Sequence, residues 1–165
     1  MITLVLGGTR SGKSAVAEER ASRGLPPVVY VATGAAGDDP DMAERIARHR
    51  DRRRPRRSST TPGADLAMVL GAHPEGTVLV DALGTWVAAH GDLDPDIDGL
   101  VAAIMARRGD TVLVSDEVGL GVHPSTEVGR RFRDVLGGVN TAVADVADDV
   151  LFVIAGRILP LPRLS

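Results

Sequence analysis

The chain has 165 residues, enough for one domain with a sizeable core, and it contains no cysteine, which excludes disulfides, thiolate metal sites and thiol catalysis. Hydrophobic residues make up 44% but aromatics only 2%, so the core has to be assembled from valine, leucine, isoleucine and alanine. A formal net charge of −3 argues against general affinity for nucleic acid, although the positive charge is unevenly spread.

The aliphatic run Ile2 to Leu6 reads as a buried strand, and its position is expected to leave no room for a signal peptide. No apolar run approaches the length of a membrane span, so a soluble, cytoplasmic protein is expected. Directly after the strand, Gly7-Gly8-Thr9-Arg10-Ser11-Gly12-Lys13-Ser14 fits the phosphate-loop pattern G-x-x-x-x-G-K-[ST], and a helical stretch from Ser14 to Arg23 follows. Eighteen of the nineteen basic residues are arginine, and the single lysine is the one this pattern requires, Lys13. The glycines let backbone N–H groups wrap a phosphate, the helix N-terminus adds positive potential, and Lys13 adds a mobile charge. A chance glycine-rich turn is the competing reading. Strand, motif and lysine together favour a nucleoside triphosphate site in which Ser14 holds Mg2+.

Val28 to Val31 reads as a second strand. Asp39-Pro40 then starts a predicted helix with Met42 and Ile46 as its apolar stripe, and His49 falls on the same inward face. An inward histidine is more often a satisfied core residue than a catalyst, so both readings stand at this point. Eight arginines lie between Arg45 and Arg57. Such a run suits a solvated face, an RNA-binding patch or a triphosphate cluster. No aromatics interleave it, which disfavours base stacking and favours the triphosphate.

Thr77 to Val80 reads as a third strand closed by Asp81, the expected magnesium-positioning partner of a phosphate loop, with a helix cap or turn as the alternative. Asp94-Pro95 offers a cap and first-turn proline for a helix carrying Ile97, Leu100, Val101, Ile104 and Met105 on one face. A fourth strand, Thr111 to Val114, runs into Ser115-Asp116-Glu117. Those adjacent carboxylates suit holding a metal-bound water or accepting a substrate proton, and equally suit a solvated turn. A long helix is predicted from near Ser125, with Val128, Phe132, Val135, Leu136, Val139, Val143 and Val146 as its stripe. Gly137-Gly138 interrupts it, which predicts a kink or a close neighbour. Val150 to Ile154 is a fifth strand, and the tail from Gly156 to Pro162 is expected to tie down the C-terminus. Strands alternating with helices predict one α/β domain over residues 1–165, a P-loop NTPase-like three-layer sandwich with a mostly parallel β-sheet. Chemistry is expected at the carboxyl ends of its strands.

These landmarks resemble the bifunctional adenosylcobinamide kinase / adenosylcobinamide-phosphate guanylyltransferase family of cobalamin biosynthesis. The resemblance rests on the loop from Gly7 to Ser14, on Tyr30-Val31-Ala32-Thr33, on Met42 to Arg50, and on Val80 to Trp86. The most specific blocks are Arg45-Ile46 followed by His49, and Glu117-Val118-Gly119-Leu120-Gly121-Val122-His123-Pro124. Arg130 to Asp134 and Asn140 continue the match. The resemblance implies phosphorylation of adenosylcobinamide by ATP or GTP. It further implies transfer of GMP from GTP, through a GMP-histidine intermediate, to adenosylcobinamide phosphate. The histidine falls on His49, a competent nucleophile when neutral. Arg50, Asp51, Arg52 and Arg53 beside it are expected in the nucleotide site, where the arginines neutralise developing phosphate charge. Thr33, Gly34 and Ala35 are implied beside the guanine nucleotide and Asp81 at the nucleotide site; from the strand ends, Asp81 is further expected at the metal and Glu117 as the catalytic carboxylate. A corrinoid substrate and a homo-oligomer, a trimer, are implied as partners, with no nucleic acid. The chain departs from the family pattern where Arg57 to Pro62 lacks a tryptophan and a glutamate, at Ala82 in place of cysteine, and at Asp116 in place of asparagine.

Two alternatives remain distinct in their chemistry. A guanylyltransferase without the kinase step fails to phosphorylate adenosylcobinamide. A nucleotide-switched protein that docks RNA or an acidic partner through the arginine run shows RNA binding that weakens steeply with salt.

Overall fold

Short runs of valine, leucine and threonine pair into one sheet in the computed structural model, which describes residues 1–33, 57–60 and 65–163. Seven strands lie among the described residues: β1 (Ile2–Gly7), β2 (Val28–Ala32), β3 (Arg57–Thr60), β4 (Thr77–Asp81), β5 (Asp110–Asp116), β6 (Asp149–Ile154) and β7 (Arg157–Pro160). Their order across the sheet is β3-β2-β4-β5-β1-β6-β7. All pairs are parallel except β6 with β7.

Alternation of side chains along the strands divides the core into two layers. On one face Val5, Leu79, Val112 and Val114 pack with Ala17 and Ala21 of α1 (Lys13–Ser22). On the other, Leu4, Leu6, Val78, Val80 and Leu113 meet α2 (Leu66–Gly71), α3 (Leu83–Ala89), α4 (Ile97–Ala106) and α5 (Glu127–Val146). The sheet is therefore covered on both faces, the three-layer arrangement that continuous aliphatic strands require. None of the described helices is long and apolar enough to cross a membrane.

Several local expectations change. The cap of α4 is Asp96, whose carboxylate accepts from Gly99 N at 2.9 Å, rather than Asp94. Leu100 and Ile104 form the buried stripe of that helix, whereas Met105 is exposed because it stands about 100° round from Ile104. Helix α5 starts two residues beyond Ser125, capped by Thr126 through Gly129 N at 3.1 Å, and Val128 faces outward. It runs unbroken through Gly137 and Gly138, and a Cβ at either would meet nothing within 4 Å. Nothing in the structure explains these two glycines.

Two strands were not anticipated. β3 is a serine- and threonine-rich edge strand, outside a search for aliphatic runs, and β7 is short and ends in proline, which an edge tolerates. The β6–β7 turn has Ala155 at φ 50° and Gly156 at φ 73°, the pair of positive angles that a two-residue hairpin loop demands. The tail thus returns along the sheet edge as a strand.

Candidate active site

The loop after β1 is shaped by glycine where glycine is needed. At Gly7 a Cβ would stand 2.6 Å from Ser11 Oγ and 2.7 Å from the Val153 carbonyl oxygen, so only hydrogen fits. Gly12 caps α1 with φ 96°, a left-handed conformation that side chains resist, and it leaves the first turn of the helix without a side-chain cap. Lys13 N donates to Ser11 Oγ at 3.4 Å, and the N–H groups that follow it in the first turn keep their capacity for an anion. The β6–β7 hairpin braces this loop from behind: Gly156 N donates to Ser11 O at 2.8 Å. A role absent from the sequence reading thereby falls to the C-terminal segment.

Lys13 is only 9% exposed, and its ammonium lies across the loop. Nζ donates to Gly8 O at 3.2 Å and forms an ion pair with Asp116 Oδ1 at 2.7 Å. Strand order brings these groups together, because β5 is the direct neighbour of β1 and Gly7 stands in register with Asp116. Asp116 is held in turn: Asn140 Nδ2 on α5 donates to its carbonyl at 3.1 Å, and a Cβ at Gly84 would sit 3.0 Å from Oδ2. The Ser14 hydroxyl is half-buried and makes no hydrogen bond among the described residues.

Asp81 closes β4, with β5 between it and β1. Its carboxylate accepts the phenol hydroxyl of Tyr30 from β2 in a short hydrogen bond. Thr33, at the carboxyl end of β2, is 2% exposed. Its hydroxyl reaches Ala82 O at 2.6 Å and Thr85 Oγ1 at 2.6 Å, fastening β2 to the start of α3. Glu117 follows β5. Its backbone N–H donates to Gly7 O at 3.2 Å, and one carboxylate oxygen, Oε1, accepts from Gly119 N at 2.6 Å. The other carboxylate oxygen makes no hydrogen bond among the described residues.

The loop residues, Asp81, Thr33 and Glu117 therefore share the carboxyl edge of the sheet, where the sequence places them. Gly34, Ala35, His49, Arg50, Asp51, Arg52 and Arg53, with the helix expected from Asp39-Pro40, lie outside the described residues. Sequence reasoning noticed Asp116 only as half of an acidic pair and did not connect it to Lys13. Its signal lay in strand order, which the sequence does not display.

The opposite edge offers little chemistry. A cavity of about 120 Å³ lies there, lined by Thr3, Arg20, Gly24, Thr77, Asp110 and Val112. Arg107 is clamped nearby by Thr111 Oγ1 at 2.9 Å and by the Gly76 and Asp110 carbonyls. Burial pulls its pKa below the usual arginine value while Asp110 pushes it back up. Both features sit at the amino ends of the strands, away from the edge where parallel sheets bind ligands.

A protein-family profile described as CobU, cobinamide kinase / cobinamide phosphate guanyltransferase, matches residues 3–161. The bifunctional adenosylcobalamin biosynthesis protein CobP of Pseudomonas aeruginosa is 37% identical over 169 residues, covering 98% of this chain and 97% of its own. The bifunctional adenosylcobalamin biosynthesis proteins CobU of Salmonella typhimurium and Escherichia coli are 36% and 34% identical, each covering 94% of this chain and 97% of its own length.

Proposed function

Because the chain belongs to the cobinamide kinase / cobinamide phosphate guanyltransferase family, we propose that it phosphorylates adenosylcobinamide and then transfers GMP from GTP to adenosylcobinamide phosphate. The observation that carries this reading is a match spanning residues 3–161 to a family whose description contains both reactions. The geometry of the loop supports the nucleotide half of it.

In the kinase step the loop from Gly7 to Ser14 cradles the phosphates of ATP or GTP, with Lys13 on the β- and γ-phosphate oxygens. The substrate hydroxyl forms a bond to the γ-phosphorus while the bond from that phosphorus to the β-bridging oxygen breaks, and the nucleoside diphosphate leaves. Glu117 takes the hydroxyl proton on the carboxylate oxygen that Gly119 does not occupy. In the guanylyl step a ring nitrogen of His49 forms a bond to the α-phosphorus of GTP, and pyrophosphate departs. A phosphate oxygen of adenosylcobinamide phosphate then forms the new P–O bond as the P–N bond breaks, freeing the imidazole. We assign Arg50, Asp51, Arg52 and Arg53 to this phosphate, where the arginines would neutralise charge, and Thr33, Gly34 and Ala35 to the guanine nucleotide.

Mg2+ suits the donor set at the loop. Ser14 offers an unengaged hydroxyl, and Asp81 and Asp116 offer carboxylate oxygens at the same edge. Magnesium is commonly held by one or two such groups together with phosphate oxygens and water, so no enclosing cage of acids is required. When bound it neutralises phosphate charge. Ser14 and Asp81 would hold the ion at this edge of the sheet. We extend the proposal to a homo-oligomer, a trimer, for which the exposed Ile154, Ile158 and Leu159 on the outer strands supply apolar surface. Equilibrium sedimentation reads that mass directly.

The deciding experiment incubates wild type and His49→Asn with Mg2+ and GTP labelled at the α-phosphate. Label should stay on denatured wild type with the acid-labile, base-stable behaviour of a phosphoramidate, be absent from the variant, and discharge on adding adenosylcobinamide phosphate. Failure to label while GTP demonstrably binds would remove His49 from the mechanism.

A further inference from the structure

We propose that Asp116 makes this site select the magnesium complex of a nucleoside triphosphate over the free triphosphate, by holding Lys13 in the empty loop and repelling phosphate that carries no metal. The inference rests on the nucleotide-binding reading above and gives Asp116 a role beyond that of a candidate magnesium donor.

Lys13 is the chain's single lysine, so no second lysine can take its place. Of its three N–H donors, one goes to Gly8 O and one to Asp116 Oδ1. A triphosphate needs that same ammonium on its β- and γ-oxygens. The backbone of Asp116 is held in place. It is the last residue of β5, in register with Gly7, its carbonyl is tied to Asn140, and a Cβ at Gly84 would stand 3.0 Å from Oδ2. A phosphate chain that reaches Lys13 therefore arrives close to the carboxylate that pairs with it.

Like charges so placed repel when neither is neutralised. A triphosphate carrying Mg2+ brings two positive charges and a hard ion that prefers oxygen ligands, which turns the same carboxylate from an opponent into a neutral or attractive neighbour. Asp116 is in this sense a specificity-determining residue. It keeps the lysine paired while the loop is empty and penalises a ligand that lacks the metal.

The test is calorimetric titration of GTP into full-length wild type, Asp116→Asn and Asp116→Glu, each with Mg2+ and with EDTA. The chain's lone lysine also gives one Nζ resonance, which reports the pairing directly by NMR. Asp116→Asn should tighten metal-free binding about tenfold or more, and shrink the ratio of affinities with and without Mg2+ by the same factor. Its Nζ resonance should move as the ion pair is lost. Asp116→Glu keeps the charge and should keep the wild-type ratio, and it also serves should the asparagine variant fail to fold. An unchanged ratio in Asp116→Asn, or a glutamate variant that has lost the preference, overturns the proposal and leaves nucleotide binding intact. Absence of GTP binding by wild type in both conditions overturns the nucleotide reading itself, and this inference with it.

Discussion

The ends of β4 and β5 are neighbours, each an aliphatic strand closed by an aspartate at the same edge of the sheet, but the two carboxylates serve different partners. Asp81 receives the phenol of Tyr30 from β2, whereas Asp116 receives the ammonium of Lys13 from the start of α1. Strand order decides which. β4 lies between β2 and β5, and β5 lies between β4 and β1. With neighbouring strands about 4.8 Å apart, Asp81 stands about 10 Å from the line of β1, too far for a direct contact with the lysine of the loop. Two residues of one type, in one kind of sequence context, thereby divide into a carboxylate that fastens the sheet and one that answers the phosphate lysine.

Removing Lys13 breaks this contrast most severely. Lys13→Ala should lower phosphoryl transfer to adenosylcobinamide by about 10²–10³-fold, the usual loss when one charge-stabilising donor is taken from a transferring phosphate. The fold should survive, since the Asp116 side chain is 34% exposed and water can replace its partner. Initial-rate assays beside a thermal melt check both statements. Full activity in the variant would mean that the lysine paired with Asp116 is not the phosphate lysine, and the distinction between the two strand ends would lose its basis.

Two side-chain truncations sharpen the comparison. Tyr30→Phe removes the bond to Asp81, and Asn140→Ala removes the bond to the carbonyl of Asp116. Tyr30→Phe should cost about 1–2 kcal/mol of stability, because it leaves a carboxylate oxygen of Asp81 without its hydroxyl donor. Asn140→Ala should cost about 1 kcal/mol or less: the buried Asn140 Oδ1 has no partner among the described residues, so truncation also removes an unsatisfied atom. The effects on GTP affinity should run the other way. Loosening the Asp116 carbonyl should weaken binding about threefold, a small positional effect well under the tenfold that 1.4 kcal/mol would give, while the Tyr30 change moves it less. Urea denaturation and nucleotide titration of both variants separate the outcomes, and equal effects on affinity would show that the two aspartates are not functionally distinct.

Legibility in the sequence followed the range of the interaction. β1, its loop and the start of α1 are contiguous, so the G-x-x-x-x-G-K-[ST] pattern contains its own geometry, down to the tight fit at Gly7. The aliphatic strands and the long stripe of α5 were legible because periodicity is also local. β3 escaped because Arg57–Thr60 carries no aliphatic residue to announce it, and β7 because its Ala155-Gly156 turn has alanine where the usual hairpin signal has asparagine, aspartate or glycine. The pairing of Lys13 with Asp116 spans more than a hundred residues and depends on which strand neighbours β1. No local pattern encodes that choice, and the acidic pair Asp116-Glu117 therefore remained ambiguous until the strands were in order.

The smallest expected effect belongs to the helix that holds Asp116 in place. Gly137 lies on the exposed face of α5, three residues before Asn140, where a methyl group would meet nothing within 4 Å. Glycine there costs the helix backbone entropy without a compensating contact. Gly137→Ala should raise stability by about 0.5–1 kcal/mol, chiefly by restricting the unfolded chain. Because neither carboxylate is touched, the preference for magnesium-bound over free GTP should stay at its wild-type value. A melt and a pair of titrations suffice to check it. A stabilised variant with an altered metal preference would mean that α5 rigidity, transmitted through Asn140, governs Asp116, and the contrast between the strand ends would then owe as much to the helix behind β5 as to the strand beside it.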